Sequence, residues 1–346
     1  MNKTKEIKIG NKKIGAGNSI LVQSMLNVIS TDVSGNVEQA KRLESVGCDI
    51  IRVSVPDMKA VRLVEEIKKN TTVPLVADIH FDYKIAVECA AAGVDKIRIN
   101  PGNIGDRQRV KAVADACKNK NIPIRIGVNS GSLDKEILKK HGGVTAAALC
   151  ESALSQAEML ENFDFNDIVI SIKSSDVRKT IEAYRMISQQ CNYPLHLGIT
   201  EAGSAHMGLI KSAVGIGSLL CDGIGDTIRV SLTDIPEKEV AAGHDILKAI
   251  GLEKGVQIVS CPTCGRTKID LIKIAGEVES ALKDVKKPIK VAVMGCVVNG
   301  PGEASDADIG IAGGDKCAVL FKKGEIVCKI EESEIVSRLL SEIEKM

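Results

Sequence analysis

Short apolar runs rich in β-branched residues alternate with stretches of helical periodicity over the first two thirds of the chain. The runs cover residues 20–24, 49–53, 74–79, 96–99, 123–128, 167–172, 194–199 and 226–230. Between them, apolar residues recur every three or four positions over 37–46, 58–69, 84–92, 107–118, 146–161, 177–190 and 205–220. A further helix opens at Pro236, where a missing N–H costs nothing, and runs to residue 250. Eight β/α units in about 250 residues predict a TIM (β/α)8 barrel. A hairpin over 7–15, turning at Gly10-Asn11, precedes it. A doubly wound open sheet would instead carry a Gly-rich phosphate loop after its first strand, and Gln23-Ser24-Met25-Leu26-Asn27 is not one. After residue 253 the pattern changes. Strands are predicted at 257–260, 289–294 and 308–312, a hairpin at 318–322 and 325–330, and helices over 268–284 and 334–344. The expected class is α/β: a barrel domain over 1–253, then a small α+β domain over 254–346.

Active sites of such barrels lie at strand C-termini, and the residues predicted there are not random. Arg52, Arg98, Arg125, Lys173 and Arg229 stand at the ends of five runs. Clustered cations are costly to bury unless an anion sits among them. Arginine suits phosphate by its fork and lysine by its point charge. The alternative is that these side chains face outward, paired with helix carboxylates. Convergence at one mouth predicts a small, strongly anionic ligand, most simply a diphosphate. Asp78, His80, Asn100, Asn129, His196, Glu201 and Ser231 add polar groups at the same run ends. The connection over 130–144 is either a lid or a surface loop.

The second domain carries its own chemistry. Cys261 and Cys264 form a C-x-x-C pair, and Cys296 follows the strand predicted at 289–294. A turn at Gly300-Pro301-Gly302 would swing Glu303 towards the sulfurs. Three thiols are one short of the usual cage. The spacing is compatible with a [4Fe–4S] cluster whose fourth iron takes an oxygen ligand, with a structural zinc knuckle, or with a redox pair beside an unrelated cysteine.

Composition narrows the classes. The chain has 346 residues, a net charge of +1 and no Trp, so neither a general attraction to nucleic acid nor a base-stacking platform is indicated. Its N-terminus lacks a signal-peptide core, and no apolar run reaches membrane-span length. Eleven scattered cysteines point to a reducing, cytoplasmic setting, with Cys48, Cys89, Cys117, Cys150, Cys191, Cys221, Cys317 and Cys328 expected as small buried apolar groups. No P-loop is present, nor the C-x-x-x-C-x-x-C of a radical-SAM barrel, nor a further Cys near Cys296 to bridge a sirohaem. The eighth helix, about fifteen residues long, carries the chain about 20 Å from the mouth to the opposite face. A domain tethered there reaches another subunit's mouth more readily than its own, which predicts a homodimer with shared active sites.

SCPTCGRT (260–267) and MGCVVNGPGEASDADIG (294–310), with IRVSVP, VADIHF, KIRINPGN, RIGVNSGS, SIKSS, HLGITEAG and GDTIRVSLT upstream, closely resemble the 4-hydroxy-3-methylbut-2-enyl diphosphate synthase family of the methylerythritol phosphate route to isoprenoids. The resemblance spans nearly the whole chain. It implies one [4Fe–4S] cluster on Cys261, Cys264 and Cys296, with Glu303 as fourth ligand. It implies 2-C-methyl-D-erythritol 2,4-cyclodiphosphate as substrate, opened and dehydroxylated with two electrons from reduced flavodoxin or ferredoxin. Arg52, Asp78, Arg98, Asn100, Arg125, Asn129, Lys173, His196, Arg229 and Ser231 are then expected to bind substrate, and Glu303, Glu201 and His80 to be the candidate catalytic groups. A zinc-stabilised, non-enzymatic sensor of a phosphorylated ligand is the alternative.

Overall fold

Two strands, β1 (Ile7–Ile9) and β2 (Lys12–Ile14), pair antiparallel through the expected turn. Gly10 has φ +56°, and a Cβ on it would lie 2.7 Å from Asp95 Oδ1, so glycine is required there. This computed structural model describes residues 3–346 apart from 284, 298–301 and 303. The chain divides into two units, 1–250 and 251–346.

In the first unit, β3 (Leu21–Met25), β4 (Ile50–Ser54), β5 (Leu75–Asp78), β6 (Lys96–Ile99), β7 (Ile124–Asn129), β8 (Ile168–Lys173), β9 (His196–Leu197) and β10 (Thr227–Ile228) form one parallel sheet. Its order is β8-β7-β6-β5-β4-β3-β10-β9. A parallel bridge from Ile170 to Leu195, one residue ahead of β9, brings the two edges together and nearly closes the barrel. A helix follows each strand: Val33–Ser45, Arg62–Asn70, Tyr83–Ala91, Arg107–Lys120, Ala146–Glu161, Val177–Ser188, Ala205–Cys221 and Pro236–Ala249. Asp32, Asp82, Asp106, Thr145 and Asp176 cap helix starts by accepting a backbone N–H, which fixes where these loops end.

Several details differ from expectation. β9 and β10 are shorter than the predicted runs. The backbones crowd here, since a Cβ on Gly198 would lie 2.9 Å from the Arg229 carbonyl oxygen. The connection over 130–144 is not open loop but holds a one-turn 3-10 segment and the helix Lys135–His141. Pro101–Ile104 forms a short unpredicted helix. Cys48, Cys89, Cys117 and Cys150 are buried as expected; Cys221, at its helix end, is exposed, and Cys191, Cys317 and Cys328 are only partly buried. No helix among the described residues is long and apolar enough to cross a membrane.

The second unit is a five-stranded sheet of β11 (Gln257–Ser260), β12 (Lys290–Met294), β13 (Ile309–Gly314), β14 (Cys317–Lys322) and β15 (Glu325–Glu331), in that order. The first three are parallel and the last two antiparallel. Alternation in β12 sends Val291 and Val293 against the helices Leu271–Leu282 and Ile335–Glu344, and sends Ala292 and Met294 to a smaller core with Ala304, Ala307 and Phe321. Gly310 makes room for that second core, because a Cβ there would sit 2.5 Å from the Phe321 ring.

Candidate active site

Alternation along the barrel strands turns one set of side chains outward and the other inward. Ile51, Val53, Ala77, Ile97, Ile124 and Ile170 join the large apolar core with the helices. At the closed end, Leu21, Ile50, Val76 and Val169 pack with Ile7, Ile9 and Ile14 of the hairpin in a separate apolar plug. Most of the remaining inward positions are polar. Gln23, Arg52, Asp78, Lys96, Arg98, Arg125, Ser171, Lys173, His196 and Thr227 are all buried. Barrel interiors are ordinarily filled by branched apolar side chains, so this lining has another purpose.

Asp78 organises the layer. Its carboxylate accepts from Arg52 Nη2 and, at 3.1 Å, from Arg98 Nη1; His80 Nε2 lies 3.6 Å away. Burial pushes this carboxyl up, but Arg52 and Arg98 outweigh it and hold the group well below the usual carboxylate range. Arg98 also donates to the Gly127 carbonyl at 3.4 Å, and a Cβ on Gly127 would stand 2.3 Å from Arg98 Nε. Arg125 donates to Gln23 Oε1 at 3.1 Å, while its Nε and Nη2 have no hydrogen-bond partner. Arg229 rests on Glu239 of the helix Pro236–Ala249, Nη2 to Oε2 at 3.4 Å. Glu239 is itself held by Ser24 Oγ at 3.1 Å and the Leu232 N–H at 3.0 Å. Among the described residues, the six basic side chains of Arg52, Lys96, Arg98, Arg125, Lys173 and Arg229 share this interior with two carboxylates, Asp78 and Glu239. Burial, then mutual repulsion, pushes Lys96, Lys173 and His196 well below their ordinary values.

Arg52, Asp78, Arg98 and Lys173 face the interior together. Arg125 and His196 do so too, but not from strand ends. Arg125 is the second residue of β7 and His196 the first of β9; both are fully buried, and His196 Nδ1 lies 2.8 Å from Thr227 Oγ1. Asn129, opposite Lys173 in register, and Ser231 are half-buried beyond them. Asn100 caps the helix Pro101–Ile104, its Oδ1 accepting the Gly102 N–H at 3.1 Å. His80 and Glu201 are exposed on loops after β5 and β9. Glu201 has φ +51°, in the left-handed region that favours glycine. Sequence reasoning missed Lys96, Gln23 and Glu239. For Lys96 the signal was present, since it lies two residues before Arg98 and shares its face.

In the second unit, β11 and β12 run parallel with Ser260 opposite Val293. Cys261 and Cys296 therefore leave adjacent strands at the same sheet end. The Gly295 N–H donates to Cys261 Sγ at 3.1 Å, and the Lys268 N–H donates to the Gly295 carbonyl at 2.9 Å, tying the two loops together. Cys264 is exposed, and hydrogen bonds from the Arg266 backbone N–H and side chain lower its thiol. Glu303 lies outside the described residues, as do Gly300 and Pro301 of the expected turn. Among the described residues, no three His, Cys, Asp or Glu side chains are grouped to hold a single metal ion. A cluster whose thiolates sit on different irons needs its cysteines spaced by the width of the cluster, not of one ion. Three free thiols on two tied loops, one already accepting an N–H, fit that larger group.

The class is thus a parallel α/β barrel with a cation-filled interior, joined on one chain to a cysteine-bearing α+β module. The chain belongs to the GcpE family: the GcpE TIM-barrel domain matches residues 4–244, and the GcpE protein C-terminal domain matches 257–345. A protein of Caldanaerobacter subterraneus subsp. tengcongensis named 4-hydroxy-3-methylbut-2-en-1-yl diphosphate synthase (flavodoxin) is 62% identical over 344 residues, covering 99% of this chain and 97% of that one. A protein of the same name from Ruminiclostridium cellulolyticum is 58% identical over 346 residues, 100% of this chain and 98% of that one. Among solved structures, a dihydropteroate synthase from Xanthomonas albilineans superposes with TM-score 0.52 at 13% identity, over 70% of this chain and 96% of its own. That likeness concerns the fold.

Proposed function

We propose that this chain is a 4-hydroxy-3-methylbut-2-en-1-yl diphosphate synthase. It reductively opens and dehydroxylates 2-C-methyl-D-erythritol 2,4-cyclodiphosphate in the cytoplasm, taking two electrons from reduced flavodoxin, or ferredoxin, and releasing water. The carrying observation is the barrel interior, where buried cations outnumber carboxylates and Arg125 keeps two donor atoms unpaired. A diphosphate supplies the missing negative charge and acceptors.

Residues 1–253 form the substrate domain and 254–346 the cluster domain in this reading. Arg52 and Arg98, oriented by Asp78, bind phosphate oxygens with Arg125, Lys173, Arg229 and Ser231, while Asn100, Asn129 and His196 position the substrate. As the ring opens, negative charge grows on the departing diphosphate oxygen, and fixed cations stabilise it without reorganising. Cys261, Cys264 and Cys296 would hold one [4Fe–4S] cluster, with Glu303 as fourth ligand. When bound, that cluster supplies electrons singly and Lewis acidity at an iron. Loss of water needs a proton, and Glu201, His80 and Glu303 are the donor candidates. Purified without oxygen, the protein is expected to be brown, to bleach with dithionite, and to turn over the cyclodiphosphate with reduced flavodoxin. A colourless protein that takes up only zinc would overturn the reading.

The active site is shared between two chains. Pro236 lies beside Ser24, near the C-terminus of β3, whereas His244 Nε2 lies 3.0 Å from the Gly47 carbonyl, before β4 begins. The helix thus returns the chain to the strand N-terminal end, away from the mouth, before residue 251. A mixed dimer of one Cys296→Ser chain and one Arg52→Met chain should recover activity that neither homodimer has. Absence of recovery would sink the shared site.

A further inference from the structure

Lys96 stands apart from the other interior cations. It is fully buried, and its Nζ has no hydrogen-bond partner. Arg52 of β4 and Arg125 of β7 repel it, and His196 of β9 faces it across the barrel. Beside it in the sheet is Val76, part of the apolar plug. Asp78, the inward carboxylate of the neighbouring strand, is already shared by Arg52 and Arg98. Water can satisfy a hydrogen bond here but cannot neutralise a charge. Arginine keeps its proton in such surroundings, whereas buried lysine gives it up.

We propose that Lys96 is a neutral amine in the anion-free barrel and takes up one proton from solvent when a multiply charged anion binds. The inference rests on the diphosphate reading of the barrel. An arriving anion offers acceptors to the unpaired Nε and Nη2 of Arg125 and reverses the local potential, so the ammonium form becomes the favoured one. Departure of the anion returns the proton. The empty site thereby avoids carrying a full set of unpaired charges so close to its apolar floor. His196 faces the same space with an unpartnered Nε2, but its burial keeps the imidazole neutral above its ordinary range. Lys173 at the end of β8 is pushed the same way by burial and by Arg52, Arg229, Arg125 and Arg98, so the uptake that belongs to Lys96 at mildly alkaline pH is the part lost when Lys96 alone is replaced.

The sign follows from linkage. Where the anion-bound state holds one more proton, affinity falls as pH rises, by up to about tenfold per unit. Titration calorimetry of the full-length protein with inorganic pyrophosphate, at about pH 8 and in two buffers of different ionisation enthalpy, reads the protons taken up. Wild type is expected to take up close to one proton more than Lys96→Met, the ligand's own ionisation being common to both. Lys96→Leu replaces that variant if methionine does not fold, and the fall in wild-type affinity with pH is expected to be steeper than that of either variant. Equal uptake in wild type and variant, or parallel affinity profiles of the two against pH, overturns the proposal and leaves the diphosphate site standing. Failure of wild type to bind pyrophosphate overturns the diphosphate reading and the proposal with it.

Discussion

Asp78→Asn is expected to cost the barrel about 3–5 kcal/mol and to slow turnover at least about a hundredfold. The carboxylate is 1% exposed and is the shared acceptor of two buried guanidinium groups. Asparagine keeps one acceptor oxygen and turns an amide NH2 towards the other arginine. One cation is then buried without a partner, in an interior that already carries an excess of positive charge. Turnover suffers separately, because Arg52 and Arg98 lose the group that aims them, and small displacements at a reacting centre are costly.

The pH dependence identifies the cause. A carboxyl held low in the folded state stabilises above its unfolded value and loses that contribution only as pH falls through the folded one. The gap between wild type and Asp78→Asn should therefore be constant from about pH 5 upward and close only below about pH 4. Guanidinium unfolding midpoints at several pH values measure it. Equal midpoints at neutral pH would show that the Asp78 network does not hold the barrel together.

How far the sequence disclosed this arrangement depends on the range of the interaction. Strand and helix periods are local, so the barrel, the strand-end cations and the sheet of the second unit were readable. Depth was not. Arg125 and Lys173 look equivalent as cations near run ends, but β7 begins at Ile124 and runs on to Asn129, which leaves Arg125 near its start. Pairing was not readable either. Glu239 reaches Arg229 from the helix that follows, and Gln23 reaches Arg125 across the barrel. Asn100 looked like a ligand group and also serves as a helix cap. Lys96 opens its run and was not singled out, although the two-residue period already put it on Arg98's face. The plug depends on the hairpin folding back against β3, β4, β5 and β8, a contact between residues far apart in sequence.

Alanine at Cys261, Cys264 or Cys296 is expected to remove the visible absorbance, the iron and sulfide content and the turnover together, each to background. The three thiols are not interchangeable in their surroundings. Cys261 accepts the Gly295 N–H, Cys264 is biased towards thiolate by Arg266, and Cys296 follows the adjacent strand. A four-iron cluster held by three thiolates and one carboxylate has no spare donor, so losing any one cysteine leaves an iron without its ligand. Alanine at Cys317 or Cys328, on the antiparallel strands of the same unit, should leave all three readouts unchanged. Because the barrel has its own core, pyrophosphate binding should survive in every cysteine variant, which separates loss of the cluster from loss of the fold. Retained iron and activity in Cys296→Ala would transfer the cofactor to other ligands, whereas lost pyrophosphate binding would show that the two units do not fold independently.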